Sequence, residues 1–151
     1  MGWKVHMLQV DGINIIEHAS YDNFNECKRL INSILNHKIM FRTCTHLSAD
    51  RIYPTNENRR FITNLKIVTN FDKKSPYRED KEQKKMKVIL NKGRSSLMEG
   101  SFGNEKNHYC LRKIKAKSKE TELVWLSMGV MTANAVKIAK RRKEENQNMA
   151  A

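Results

Sequence analysis

Two carboxylates occupy positions where they could do chemistry. Asp50 closes a β-like run and precedes Arg51-Ile52-Tyr53 and a helical segment. Its side chain is therefore expected to project from the carboxyl end of a strand, where ligands bind in open α/β sheets. Glu99 lies in the stretch from Arg94 to Lys106, on an expected helix with Lys106 two turns further along. Acidic groups on a strand end and a helix can share hard divalent cations, which take oxygen ligands and activate a water or a 3′-hydroxyl for attack on a phosphodiester. Arg94 and Lys106 stand beside them, where a phosphate needs cations. Spacing alone equally allows Asp50 to cap the next helix and Glu99 to be an ordinary surface residue.

The elements that must hold these groups come from a chain of 151 residues, 39% of them hydrophobic, enough for one domain with a core of its own. Lys and Arg number 29 against 16 Asp and Glu, a net charge of +13 that favours a polyanionic partner. The surplus is uneven. Up to residue 50, Lys4, Lys28, Arg29, Lys38 and Arg42 are balanced by Asp11, Glu17, Asp22, Glu26 and Asp50, so the whole excess lies beyond. Cys27, Cys44 and Cys110 form no close pair, which excludes a CxxC metal knuckle and a disulfide framework and fits a reducing compartment. The histidines show no HExxH spacing. No secretory signal is visible, and the one apolar run, Leu123 to Ala139, is short and broken by polar residues, so no membrane partner is expected.

Along the chain, residues 3–10 and 13–18 read as strands joined by an Asp11-Gly12 hairpin turn. Ser20 or Asp22 reads as the cap of an amphipathic helix carrying Phe24, Cys27, Leu30, Ile31, Ile34 and Leu35 and ending at Asn36. A strand region is expected from Ile39 to Ala49, a Thr55-capped helix to about Asn64, and a short strand at Ile67-Val68-Thr69. This order argues for a mixed α/β sheet with helices packed on it. Residues 72–87 are almost without apolar side chains, so a mobile charged segment is expected there, with a solvated helix from Glu79 to Leu90. Met98 to Tyr109 reads as helix despite Gly100 and Gly103. Arg112 to Lys119 is a basic run, Glu120 to Arg142 the longest helix, and 144–151 a disordered tail.

Several stretches together resemble one family. Ser20–Glu26, Ala49-Asp-Arg-Ile-Tyr-Pro-Thr-Asn-Glu-Asn-Arg-Arg-Phe61, Glu99-Gly-Ser-Phe-Gly-Asn-Glu-Lys106, Ile114-Lys-Ala-Lys117 and Thr121-Glu-Leu-Val-Trp125 look like the C-terminal catalytic part of bacterial insertion-sequence DDE transposases. The likeness keeps the same order from about Val5 to Arg142. It implies an RNase H-like α/β fold, a mixed sheet flanked by helices, over residues 1–143. It matches Asp50 to the family's second catalytic aspartate, in an Ala-Asp-x-x-Tyr context, and Glu99 to the catalytic glutamate, with Arg94 and Lys106 as the basic residues around it. Arg112, Lys113, Lys115 and Lys117 then read as DNA-phosphate contacts, and the implied partner is DNA, with a full-length transposase or a second copy as a further one. The implied location is the bacterial cytoplasm, at the nucleoid.

The family's first aspartate lies on the first strand of its sheet, and this chain is expected to begin on the second, at Trp3 to Val10. Asp11 sits in a hairpin turn that already explains it, and Asp22 in the helix-capping stretch. With two of three acids, Mg²⁺ or Mn²⁺ is expected to bind weakly and the chain to be inactive alone, because two-metal chemistry needs bridging and flanking carboxylates. The alternatives are a non-enzymatic basic module that coats nucleic acid or joins a transposase, and a stray reading frame without a selected role.

Overall fold

A computed structural model describes residues 2–72, 80–109, 111 and 114–149, with the side chains of Glu99, Glu105 and Lys106 outside the description. The chain is mixed α/β. It divides into two units, one made of Met1–Asp22 with Gly100–Ala151 and the other of Asn23–Glu99.

In the first unit, β1 (Lys4–Val10) and β2 (Ile13–Ser20) form an antiparallel hairpin with Val10 opposite Ile13. Asp11 and Gly12 both take positive φ, 48° and 75°, which is what a two-residue turn needs to match the twist of its strands. The register slips between His6 and Met7, since His6 faces His18 and Met7 faces Ile16. Glu17 is the extra residue of this bulge, and its Oε2 lies 3.0 Å from His6 Nδ1 with both side chains buried. Ser20 ends β2 and accepts from the Asp22 N–H (3.1 Å), so it closes a turn and caps no helix.

Two helices complete this unit, α4 (Gly100–His108) and the long α5 (Lys119–Met149). Asn14 is fully covered, and three side chains reach it. Asn134 on α5 accepts from its backbone N–H (3.0 Å) and donates to its carbonyl (2.6 Å), Ser101 on α4 accepts from its side-chain amide (2.6 Å), and Gln9 donates to its Oδ1 (2.7 Å). The outward edge of β2 is thus paired by a side chain where another strand would otherwise stand. Lys137 and Arg141 donate to the turn carbonyls of Gly12 and Asp11. Leu126 and Val130, one turn apart on the same face, supply the buried apolar contact, about 1.5–3 kcal/mol for each side chain. At the start of α5, Trp3 Nε1 donates to the Lys119 carbonyl (3.0 Å) and Trp3 meets Tyr21 edge to face. The helix runs on through 144–149, the stretch read as a tail. Those residues are exposed throughout, so the helix continues there on local backbone bonds without burying a face.

In the second unit, a 3-10 turn (Glu26–Arg29) leads into α1 (Leu30–Met40), and Asn25 caps it by accepting from the Cys27 N–H. The sequence places this cap at Ser20 or Asp22 and the helix end at Asn36. The helix instead begins later and absorbs Ile39 and Met40, which were expected in a strand. Ile39 is 82% exposed, so no sheet claims it, and the Phe41 N–H closes the last turn on the His37 carbonyl. What remains of the strand region is β3 (His46–Leu47), which pairs in parallel with β4 (Val68–Thr69), His46 opposite Val68. The described strands are thus two separate pairs, where one mixed sheet was expected. Between them runs α2 (Asn56–Asn64), capped as expected by Thr55, whose Oγ1 accepts from the Asn58 N–H. Leu30 and Ile34 of α1 meet Ile62 and Ile67, with Leu47, Tyr53, Phe61 and Phe71 packed around them. The last helix of this unit, α3 (Lys81–Gly93), is mostly exposed, as its charged sequence requires, and passes into a π-helical turn, Arg94–Glu99. Residues 73–79, in the first half of the segment expected to be mobile, lie outside the described residues.

Candidate active site

Because β3 and β4 are parallel, their carboxyl ends lie at one edge, and the residues that follow both strands meet there. Asn70, directly after β4, accepts from the Ala49 N–H (3.0 Å) and donates to the Ala49 carbonyl (2.9 Å), so its amide extends the ladder by one more rung. Asp50 comes next. Its Oδ1 accepts from the Arg51 N–H (2.7 Å) and its carbonyl from the Tyr53 N–H (3.1 Å), which forms a tight turn. Thr55 provides the cap of α2, so capping does not explain Asp50. The loop between them is braced from beneath by Asn58, only 2% exposed, whose amide donates to the Tyr53 and Cys27 carbonyls (2.7 and 2.8 Å).

The α3 helix is tied to the same edge at three points. Ser48 donates to the Leu90 carbonyl (3.0 Å), Asn70 to Asn91 Oδ1 (2.8 Å), and Lys87 to Asp72. The bond to Lys87, and its positive charge, hold the Asp72 carboxyl below its ordinary value. These ties set the start of the π-helical turn beside Asp50, and the Arg94 guanidinium lies 3.9 Å from Asp50 Oδ1. At that distance, with Asp50 more than half exposed, the pair contributes little to stability, under about 1 kcal/mol. A π turn closes i→i+5 bonds, so its backbone brings position 99 around toward position 94 more nearly than an α-helix does. Such turns are rare and recur at functional sites.

The structure therefore brings Asp50 and Arg94 together. Glu99 ends the π-helical turn and Lys106 lies on α4, and for both only the backbone is described. Lys115 and Lys117 are exposed in the first unit, ahead of α5, while Arg112 and Lys113 lie outside the described residues. Ser48, Asn70, Asn91 and Asn58 position the candidate site and were not singled out from the sequence. An Asn directly after a Val-Thr strand was the one available signal. No family profile, curated protein or solved structure matches the chain.

Asp50 offers the exposed hard oxygen donor that Mg²⁺ or Mn²⁺ takes, so its chemistry fits such an ion. Among the described residues no three His, Cys, Asp or Glu side chains converge on one point. Among them, too, no helix is long and apolar enough to cross a membrane. Cys44 is half-buried, and burial pushes its thiol above the ordinary value of 9.0, with a smaller opposing effect from the His46 backbone.

Proposed function

We propose that this chain is part of a DDE-type transposase catalytic domain of RNase H-like architecture, built for phosphoryl transfer on DNA and inactive on its own. The observation that carries the reading is the seating of Asp50 at the carboxyl edge of the parallel pair β3/β4, 3.9 Å from Arg94 at the head of a π-helical turn that ends at Glu99. In this reading Asp50 and Glu99 hold Mg²⁺ or Mn²⁺, which when bound supplies Lewis acidity toward a phosphodiester. Arg94 balances the Asp50 carboxylate in the free protein. Because that pair is loose and partly exposed, a DNA phosphate competes for the guanidinium, and the resemblance matches Lys106 to a second basic residue for contact with DNA phosphate. The chain offers two of the family's three acids, so strand cleavage is not expected from it alone.

Ferrous iron in place of Mg²⁺, with peroxide and ascorbate, cuts a polypeptide beside its metal ligands. Cuts near both position 50 and position 99, lost together in Asp50→Ala, are the expected result. Cuts at one of the two only, or unchanged by the substitution, remove the shared site and with it the transposase reading. A supercoiled-plasmid nicking assay with Mg²⁺ or Mn²⁺ tests the second half, and turnover that Asp50→Ala abolishes would overturn the inactivity.

The net charge of +13, with Lys115 and Lys117 exposed, favours a second reading as a non-enzymatic basic module that binds nucleic acid or joins a full-length transposase. Affinity that falls steeply with salt and ignores Glu99→Ala would favour it over the first.

A further inference from the structure

The α5 helix has two faces. Leu126 and Val130 are buried and Asn134, Lys137 and Arg141 bond to the hairpin, while Val124, Met128, Met131, Ala135, Ile138 and Arg142 form a second stripe that faces solvent. Met128 is 59% exposed and Met131 64%, and Ala135 and Arg142 are exposed as well. The steps along this stripe are four, three, four, three and four residues, the spacing of a helix that meets another helix along a two-stranded seam. It covers roughly 27 Å of helix at about 1.5 Å per residue.

We propose that this stripe is a homodimer interface in which α5 pairs antiparallel with α5 of a second copy. The choice of partner and direction follows from the side chains. Antiparallel pairing about residue 133 sets Met128 against Ile138 of the second copy and Met131 against Ala135, a long side chain over a short one in each central layer. It also sets Val124 against Arg142, one turn from Glu120, so that the guanidinium of one copy reaches the carboxylate of the other at both ends of the seam. Parallel pairing stacks Ala135 on Ala135, which leaves a gap, and Arg142 on Arg142, which sets like charges together. The stripe is therefore complementary to itself in size and in charge in one direction only. This inference is independent of the transposase reading, since neither DNA nor metal enters it.

Sedimentation velocity of the full chain, freed of nucleic acid, tests it. A dimer is expected, and Met131→Glu gives a monomer whose helical circular dichroism is unchanged, because the side chain it replaces is exposed. Glu120→Arg raises the dimer dissociation constant roughly tenfold by turning an attraction into a repulsion, and adding Arg142→Glu restores it. Positions 120 and 142 of one helix are roughly 33 Å apart, so that restoration can come only from a second copy. A chain that stays monomeric, a dimer indifferent to Met131→Glu, or a double variant no tighter than Glu120→Arg alone overturns the proposal.

Discussion

Asn134 completes the edge of a strand 120 residues away in the chain, and its removal has a cost that can be worked out. Asn134→Ala takes one acceptor and one donor from the backbone of Asn14, a residue 2% exposed, and leaves an N–H and a C=O with the hydrogen bonds of 3.0 and 2.6 Å gone. An unpaired buried backbone group costs about 1–3 kcal/mol, and Asn134 itself is only partly buried, so a loss of about 2–4 kcal/mol is expected. That is a large share of the roughly 5–15 kcal/mol that holds a domain together. Trp3 and Trp125 both lie in the same unit as this contact, so tryptophan emission in a urea titration reports it directly. With a slope of about 1–2 kcal/mol per molar, the midpoint falls by roughly 1–4 M. A midpoint for Asn134→Ala within about 0.3 M of the parent would refute the reasoning, since it would mean that the edge of β2 needs no partner.

Asn58→Ala removes the donor from two loop carbonyls and is expected to cost about 2–4 kcal/mol, read as faster hydrogen exchange across residues 53–62. Exchange unchanged there would show that the Asp50 loop is held by other means. Gly12→Ala forces a methyl-bearing residue to φ +75° with its Cβ 2.5 Å from Lys137 Nζ, and a loss of about 1 kcal/mol or more is expected as a lower melting temperature. Cys44, with its thiol pKa raised by burial, should alkylate more slowly than a free thiol at neutral pH. Its contribution to stability is fully present below the ordinary thiol value and is lost as pH rises through the raised one, so equal rates folded and unfolded would contradict the burial.

What could be read from the residues in order was whatever short-range geometry dictates. Asp11-Gly12 announces its turn because few residues accept two successive positive φ values, and Thr55 announces α2 because its hydroxyl reaches an N–H three residues on. The periodic apolar residues of α1 and α5 likewise declare helices. Asp50 was legible as a candidate because it ends an apolar run ahead of a capped helix. Tertiary structure decided the rest. Ile39 and Met40 are as much at home in a strand as in a helix by composition, and in the fold they continue α1 with both side chains exposed. The division of the strands into an antiparallel pair and a parallel pair depends on which backbone edges meet, and backbone groups are the same at every residue, so side-chain order cannot show it. The seating of Arg94 beside Asp50 by Ser48 and Asn70 and the Asn134 amide on β2 both join residues that far-off packing brings together. Local preference acts over a few residues and favours no such partner over another. That selection is made when the core closes and each covered polar group must find what is within reach.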